Sequence, residues 1–192
     1  MSKKIDIIAL YMDDVKKSMS VREIARKLNI NHQTALNHLK GLVQERIIDS
    51  KKKGRNKEHF LNLDNHVTKI FIEMAELAIG YKFLLQHREI NVFIEETLSR
   101  YPSIVIFGSY AKNYYTKESD LDILIFGKET RKFFEIKEKY PFKIHAQFST
   151  IKRFEQMLEK KKTLALEILK HHIIIGRNDE IIEILWKHYK NG

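Results

Sequence analysis

Residues 107–126, FGSYAKNYYTKESDLDILIF, decide how this chain is read. A β-branched run, Ile104, Val105 and Ile106, leads into Gly108-Ser109. A polar turn with Ala111 and Lys112 follows, then Ser119-Asp120-Leu121-Asp122, then a second apolar run over 123–126. On a strand, Asp120 and Asp122 leave the same face, because side chains alternate with a period of two. Like charges so placed repel and cost stability. A divalent cation between them removes that cost, since hard oxygen donors suit Mg²⁺, and such an ion brings a nucleotide's phosphates with it. At a strand-to-helix turn, Gly108-Ser109 would let the backbone approach those phosphates closely and aim amides at them. The competing account is a polar β-turn with two solvated aspartates.

Gly108-Ser109, ten further residues and then Asp120-x-Asp122 resembles the signature of the polymerase-beta-like nucleotidyltransferases. Ala111-Lys112 and Ser119-Asp120 also fit the smaller prokaryotic members, the minimal nucleotidyltransferases. The resemblance spans residues 91–151. It implies Asp120 and Asp122 as the catalytic and metal-binding pair, and Gly108, Ser109 and Lys112 as contacts to a nucleoside triphosphate. It also implies Mg²⁺ as cofactor, with Mn²⁺ as the alternative. The family usually adds a third carboxylate on a later strand, which completes the metal site and helps deprotonate the attacking hydroxyl. Here that strand is expected over 142–148, FKIHAQF, and its outward face offers His145 and Gln147. Imidazole is a poor ligand for Mg²⁺ and a serviceable one for softer metals. Glu135 or Glu138 could supply the acid only if the fold brought one of them to the aspartates. Asn113 stands where many relatives carry glycine, and Asn tolerates positive φ.

The chain has 192 residues, 43% of them apolar, which suffices for one or two packed domains. It has no cysteine, so disulfide scaffolds and thiolate zinc sites are excluded. The N-terminal ten residues lack the long apolar run of a signal peptide, and no uncharged apolar run approaches the ~18 residues of a membrane span. A cytoplasmic protein without membrane contact is expected. The net charge of +10 is uneven, with 14 Lys/Arg against 8 Asp/Glu in residues 1–64 and 21 against 17 afterwards. A basic N-terminal part suggests a polyanionic partner.

Within that part the spacing predicts a helix from Ile5 to about Lys16 with Ile5, Ile8, Ala9 and Met12 on one side. Ser20-Val21-Arg22-Glu23 has the spacing of a capping box for a second helix. Asn31 is placed to cap a third, running to about Gln44 and burying Ala35, Leu36, Leu39, Leu42 and Val43. Its other side carries His32, Gln33, Thr34, Asn37, His38 and Lys40. Strands over 46–50 and 58–63 flank the tip Lys51-Lys52-Lys53-Gly54-Arg55-Asn56. A hairpin after such a helix pair makes a winged helix-turn-helix, and residues 21–48 resemble prokaryotic winged-helix regulators. Duplex DNA is the expected partner: Gln33 and Asn37 at base edges, Lys51, Lys52, Lys53 and Arg55 at phosphates, with His32, Thr34 and Lys40 in support. A protein-interaction winged helix with a solvated tip is the alternative.

A long helix is expected over 67–86 with Ile70, Phe71, Met74, Leu77, Ala78, Tyr81 and Leu84-Leu85 as its apolar stripe. That stripe packs either on a second copy, giving a homodimer, or on the chain's own later residues. The chain as a whole reads as α+β: a winged helix-turn-helix at 1–64, a connecting helix at 65–89, and a nucleotidyltransferase-type α/β domain with a small mixed sheet at 90–192. Three functions fit: a DNA-binding transcriptional regulator that binds metal–nucleotide with little turnover, a working transferase moving NMP onto a hydroxyl, or an antitoxin-like protein with a toxin-like protein partner.

Overall fold

Ser20 and Asn31 each supply the side-chain oxygen that an exposed helix start needs. In the computed structural model, which describes residues 2–54 and 56–191, Ser20 Oγ accepts from the Glu23 amide at 3.2 Å and Asn31 Oδ1 from Thr34 at 2.7 Å. They open α2 (Val21–Leu28) and α3 (His32–Gln44), after α1 (Lys3–Ala9) and β1 (Met19–Ser20). Between α2 and α3 the chain turns through Asn29, whose φ of 50° is left-handed. Strands β2 (Ile48–Lys53) and β3 (Asn56–Leu61) form the wing, and β1 joins the other edge of β3 through Met19↔His59 and Ser20↔Glu58. Three helices, an antiparallel β1-β3-β2 sheet and a hairpin after α3 constitute a winged helix-turn-helix. Ile7, Ile24, Ala35, Leu39, Leu42 and Ile47 are buried at its centre.

Two sequence expectations change here. α1 ends at Ala9, well short of Lys16, because Asp13 and Asp14 hydrogen-bond locally: the Asp14 amide donates to Asp13 and the Lys16 amide to Asp14. The wing strands extend to the tip, pairing Lys51↔Glu58, Lys52↔Lys57 and Lys53↔Asn56, so the lysines lie on a strand. Backbone pairing carries that ladder where side-chain alternation gives no signal.

α4 (His66–Gln86) follows. Thr68, Ile72, Ala75, Glu76 and Phe83 are buried, whereas Val67, Ile70, Met74, Leu77, Tyr81 and Leu85 are exposed. Most of the stripe read from the sequence therefore faces outward.

The remaining elements are α5 (Arg88–Leu98), β4 (Ser103–Ile106), α6 (Gly108–Ala111), β5 (Leu121–Phe126), α7 (Arg131–Lys137), β6 (Ile144–Ser149), α8 (Ile151–Glu159), α9 (Thr163–Lys170), β7 (Ile173–Gly176) and α10 (Asp179–Asn191). The strands form a mixed sheet in the order β6-β5-β4-β7, parallel between β5 and β6 and antiparallel elsewhere. Ile104, Val105, Ile106, Ile123 and Ile125 are fully buried, as expected of central strands covered on both faces. Asp122 interrupts β5 as its polar residue.

The chain folds into two compact units, one of Met1–Ala78 with Leu185–Gly192 and another of Ile79–Ile184. The first is therefore discontinuous in sequence, and the closing turns of α10 belong to it. There Leu185, Trp186 and Tyr189 are buried, and Lys190 Nζ lies 3.7 Å from Asp64. Within the second unit Gly80 lies so close to β7 that a Cβ on it would stand 2.6 Å from the Ile174 carbonyl oxygen. No helix among the described residues is long and apolar enough to cross a membrane.

Candidate functional site

β4 ends at Ile106, and the amide of the next residue, Phe107, donates to the Asp122 carbonyl at 3.0 Å, so the strand end and β5 are locked in register. The chain then reverses at Gly108, with φ +67°. A Cβ there would collide with the Asp122 carboxylate. Glycine is thus required twice, by the left-handed backbone and by the approach of Asp122. Ser109 follows in α6, and its carbonyl accepts from the Tyr114 amide at 3.1 Å. α6 has only four residues, so it carries little of a helix dipole. Asn113 adopts φ 58°, as the asparagine at that position allows.

Asp120 is exposed, one residue ahead of β5, after a turn in which the Thr116 amide donates to Ser119 Oγ at 2.8 Å. Asp122 is half-buried and sits opposite His145 of β6 in the parallel register. His145 Nδ1 lies 3.1 Å from Asp122 Oδ1. Gln147 pairs with Leu124 further along, so β6 brings no acid to this face. Glu135 is engaged on α7 by Lys132 at 2.9 Å and Arg131 at 3.6 Å, and Glu138 caps the same helix. Among the described residues no three His, Cys, Asp or Glu side chains are gathered to hold a metal ion. Asp122 and His145 are in contact and Asp120 lies on the turn before β5, oxygen and nitrogen donors of the kinds that divalent ions take.

Lys112 Nζ is 2.5 Å from Glu167 Oε1 on α9, a partner with no signal in the local sequence. That hydrogen bond raises the ammonium pKa above its ordinary value. Beside the loop, Tyr110 and Tyr115 stack at 4.4 Å and 9°. His87 meets their edges at 5.7 and 5.1 Å. Burial holds the His87 imidazole below its usual pKa.

On the winged helix, His32, Gln33, Asn37 and Lys40 are exposed along α3, and Thr34 is half-buried at its first turn. Gln33 Nε2 donates to Asn37 Oδ1 at 2.9 Å, which holds the two amides as a pair. On the wing, Lys51 Nζ lies 5.4 Å above the Phe60 ring and Lys53 Nζ 3.5 Å from Glu58. Lys52 faces Lys57 across the ladder, a like-charge pair that a polyanion would relieve. Arg55 lies outside the described residues.

A four-stranded mixed sheet carrying a Gly-Ser turn and paired aspartates at one strand end defines a nucleotidyltransferase fold. Residues 92–181 match the family described as Polymerase beta, Nucleotidyltransferase. Proteins of Methanocaldococcus jannaschii named "Putative protein adenylyltransferase" are similar to part of the chain. One is 36% identical over 94 residues, 48% of this chain and 70% of its own length. A second is 33% identical over 86 residues, 42% and 79% respectively. The chain belongs to this nucleotidyltransferase family. Among solved structures, reduced HlyU from Vibrio cholerae N16961 aligns with 38% of this chain and 73% of its own at 19% identity and TM-score 0.33. TrmBL2, an archaeal chromatin protein, aligns with 99% and 91% at 10% identity and TM-score 0.28. Scores this low carry no argument, and the winged helix rests on its own topology.

Proposed function

We propose that this protein is a DNA-binding transcriptional regulator whose nucleotidyltransferase domain binds a nucleoside triphosphate with a divalent cation and turns it over slowly. The observation that carries the nucleotide half is the seating of the Asp122 carboxylate against Gly108, where any side chain would displace it. Asp120 and Asp122 would hold Mg²⁺ or Mn²⁺, while Gly108, Ser109 and Lys112 would hold phosphates. A bound ion supplies charge neutralisation at the phosphoryl oxygens. With His145 and Gln147 on β6, a carboxylate to accept the acceptor's proton is not at hand. Titration calorimetry with ATP, CTP, GTP and UTP is expected to show Mg²⁺-dependent binding that Asp120→Asn and Asp122→Asn each remove. No heat with any nucleotide would refute the proposal.

We assign the DNA role to residues 1–64, the connection to 65–89 and the nucleotide role to 90–192. Supporting the first are the exposed Gln33–Asn37 pair and the wing lysines. Alanine at Lys51, Lys52 and Lys53 is expected to weaken duplex binding equally for all sequences. The slope of log K against log salt should flatten by up to about one unit for each phosphate no longer neutralised. An unchanged slope would remove the wing from the interface.

A homodimer fits this role, because two-fold symmetric DNA half-sites require two helices at fixed spacing. Val67, Ile70, Met74, Leu77 and Tyr81 are exposed at alternating intervals of three and four residues, the a/d spacing of a two-helix seam. Leu77→Glu should convert a dimer to a monomer in sedimentation analysis, and an unaffected mass would exclude this seam.

The second reading is active transfer of NMP to a hydroxyl, including one on a toxin-like protein partner. Its support is the similarity to proteins named as protein adenylyltransferases. Robust pyrophosphate release abolished by Asp122→Asn would decide for it.

A further inference from the structure

We infer that His145 is a ligand of the metal held at Asp122, and that it makes the site select a first-row transition ion such as Mn²⁺ over Mg²⁺. This rests on the metal–nucleotide reading above. β5 and β6 run parallel with Asp122 and His145 in register, so both side chains leave neighbouring strands on the same face. The ring is 63% exposed on an edge strand and supports nothing in the core. As a surface contact it would contribute little to stability. Its position gains meaning with a cation between the two groups.

The spacing suits one. Adjacent donors in an octahedral shell stand √2 times the metal–ligand distance apart. The 3.1 Å between Nδ1 and Oδ1 is close to the separation that bonds of about 2.0–2.1 Å and upward require, so the two groups need move little to take one ion. Donor chemistry makes the selection, because imidazole nitrogen binds first-row transition ions well and Mg²⁺ poorly. The shell would be completed by phosphate oxygens, water and Asp120, which precedes Asp122 by two residues. Binding the ion exchanges the Nδ1–Oδ1 hydrogen bond for two coordinate bonds, the Nδ1 proton leaving to solvent while the neutral ring keeps its hydrogen on Nε2.

The test uses the full chain with Mn²⁺ and inorganic tripolyphosphate, which supplies phosphate oxygens and no nitrogen. Electron spin echo spectra of the bound Mn²⁺ should carry modulation from a coordinated imidazole nitrogen. In His145→Gln that modulation should vanish, with Mn²⁺ affinity lowered at least about tenfold and Mg²⁺ affinity unchanged. Retained Mg²⁺–tripolyphosphate binding shows that the variant is folded. Nitrogen modulation persisting in His145→Gln, or absent from native chain that has bound Mn²⁺, overturns the inference and leaves the nucleotide reading intact. Native chain that binds neither ion with tripolyphosphate refutes both.

Discussion

Gly108→Ala is expected to weaken metal-dependent nucleotide binding by at least about tenfold, the scale on which disturbing the support of a metal ligand acts. Two effects combine. A left-handed backbone costs an L side chain about 1–2 kcal/mol, and Gly108 sits at φ +67°. The new Cβ also meets the Asp122 carboxylate, which must swing away from the turn and from His145. Gly54 provides the control, with φ +61° and nothing within 4 Å of where an added Cβ would stand. Gly54→Ala carries the backbone strain alone and should leave nucleotide binding unchanged. Calorimetry and thermal melts of both variants separate strain from displacement, and equal nucleotide affinity in the two would show that Asp122 is not displaced.

Gly80→Ala should destabilise the protein, although alanine in a helix interior is ordinarily favoured over glycine by about 1 kcal/mol. The obstacle is the Ile174 carbonyl oxygen, 2.6 Å from where the Cβ would be. That oxygen belongs to β7, whose Ile174 is paired with Val105, so it cannot turn aside without disturbing the sheet. Overpacking of this kind costs about 1–3 kcal/mol. The urea midpoint should fall, and a midpoint that rises would show that α4 and β7 separate freely.

The Gly-Ser turn between β4 and β5 was legible because its signals are local. Gly108, Ser109, Asp120 and Asp122 carry their meaning in type and spacing, and Ser20 and Asn31 announce their helices three residues ahead. What escaped depends on partners distant in sequence. Glu167, 55 residues later, stands beside Lys112, and nothing in the local sequence announces it. β1 is two residues long, too short for any alternation to show, and exists through pairing with His59 and Glu58. α4 was harder for a different reason. It is apolar on more than one side, so periodicity locates the helix without saying which side is covered. Ile72 and Ala75 are buried, and Met74 between them is exposed.

The discontinuous first unit has a consequence for synthesis. Residues 1–78 leave the ribosome early, but their unit is completed only by residues 185–191, including buried Leu185, Trp186 and Tyr189. At about 5–20 residues per second, the intervening stretch takes about 5–20 s to make. The nucleotidyltransferase unit is contiguous and can close as its own chain emerges. The winged-helix unit must hold its apolar surface partly uncovered until the last turns of α10 arrive, so α10 sets when that unit is finished.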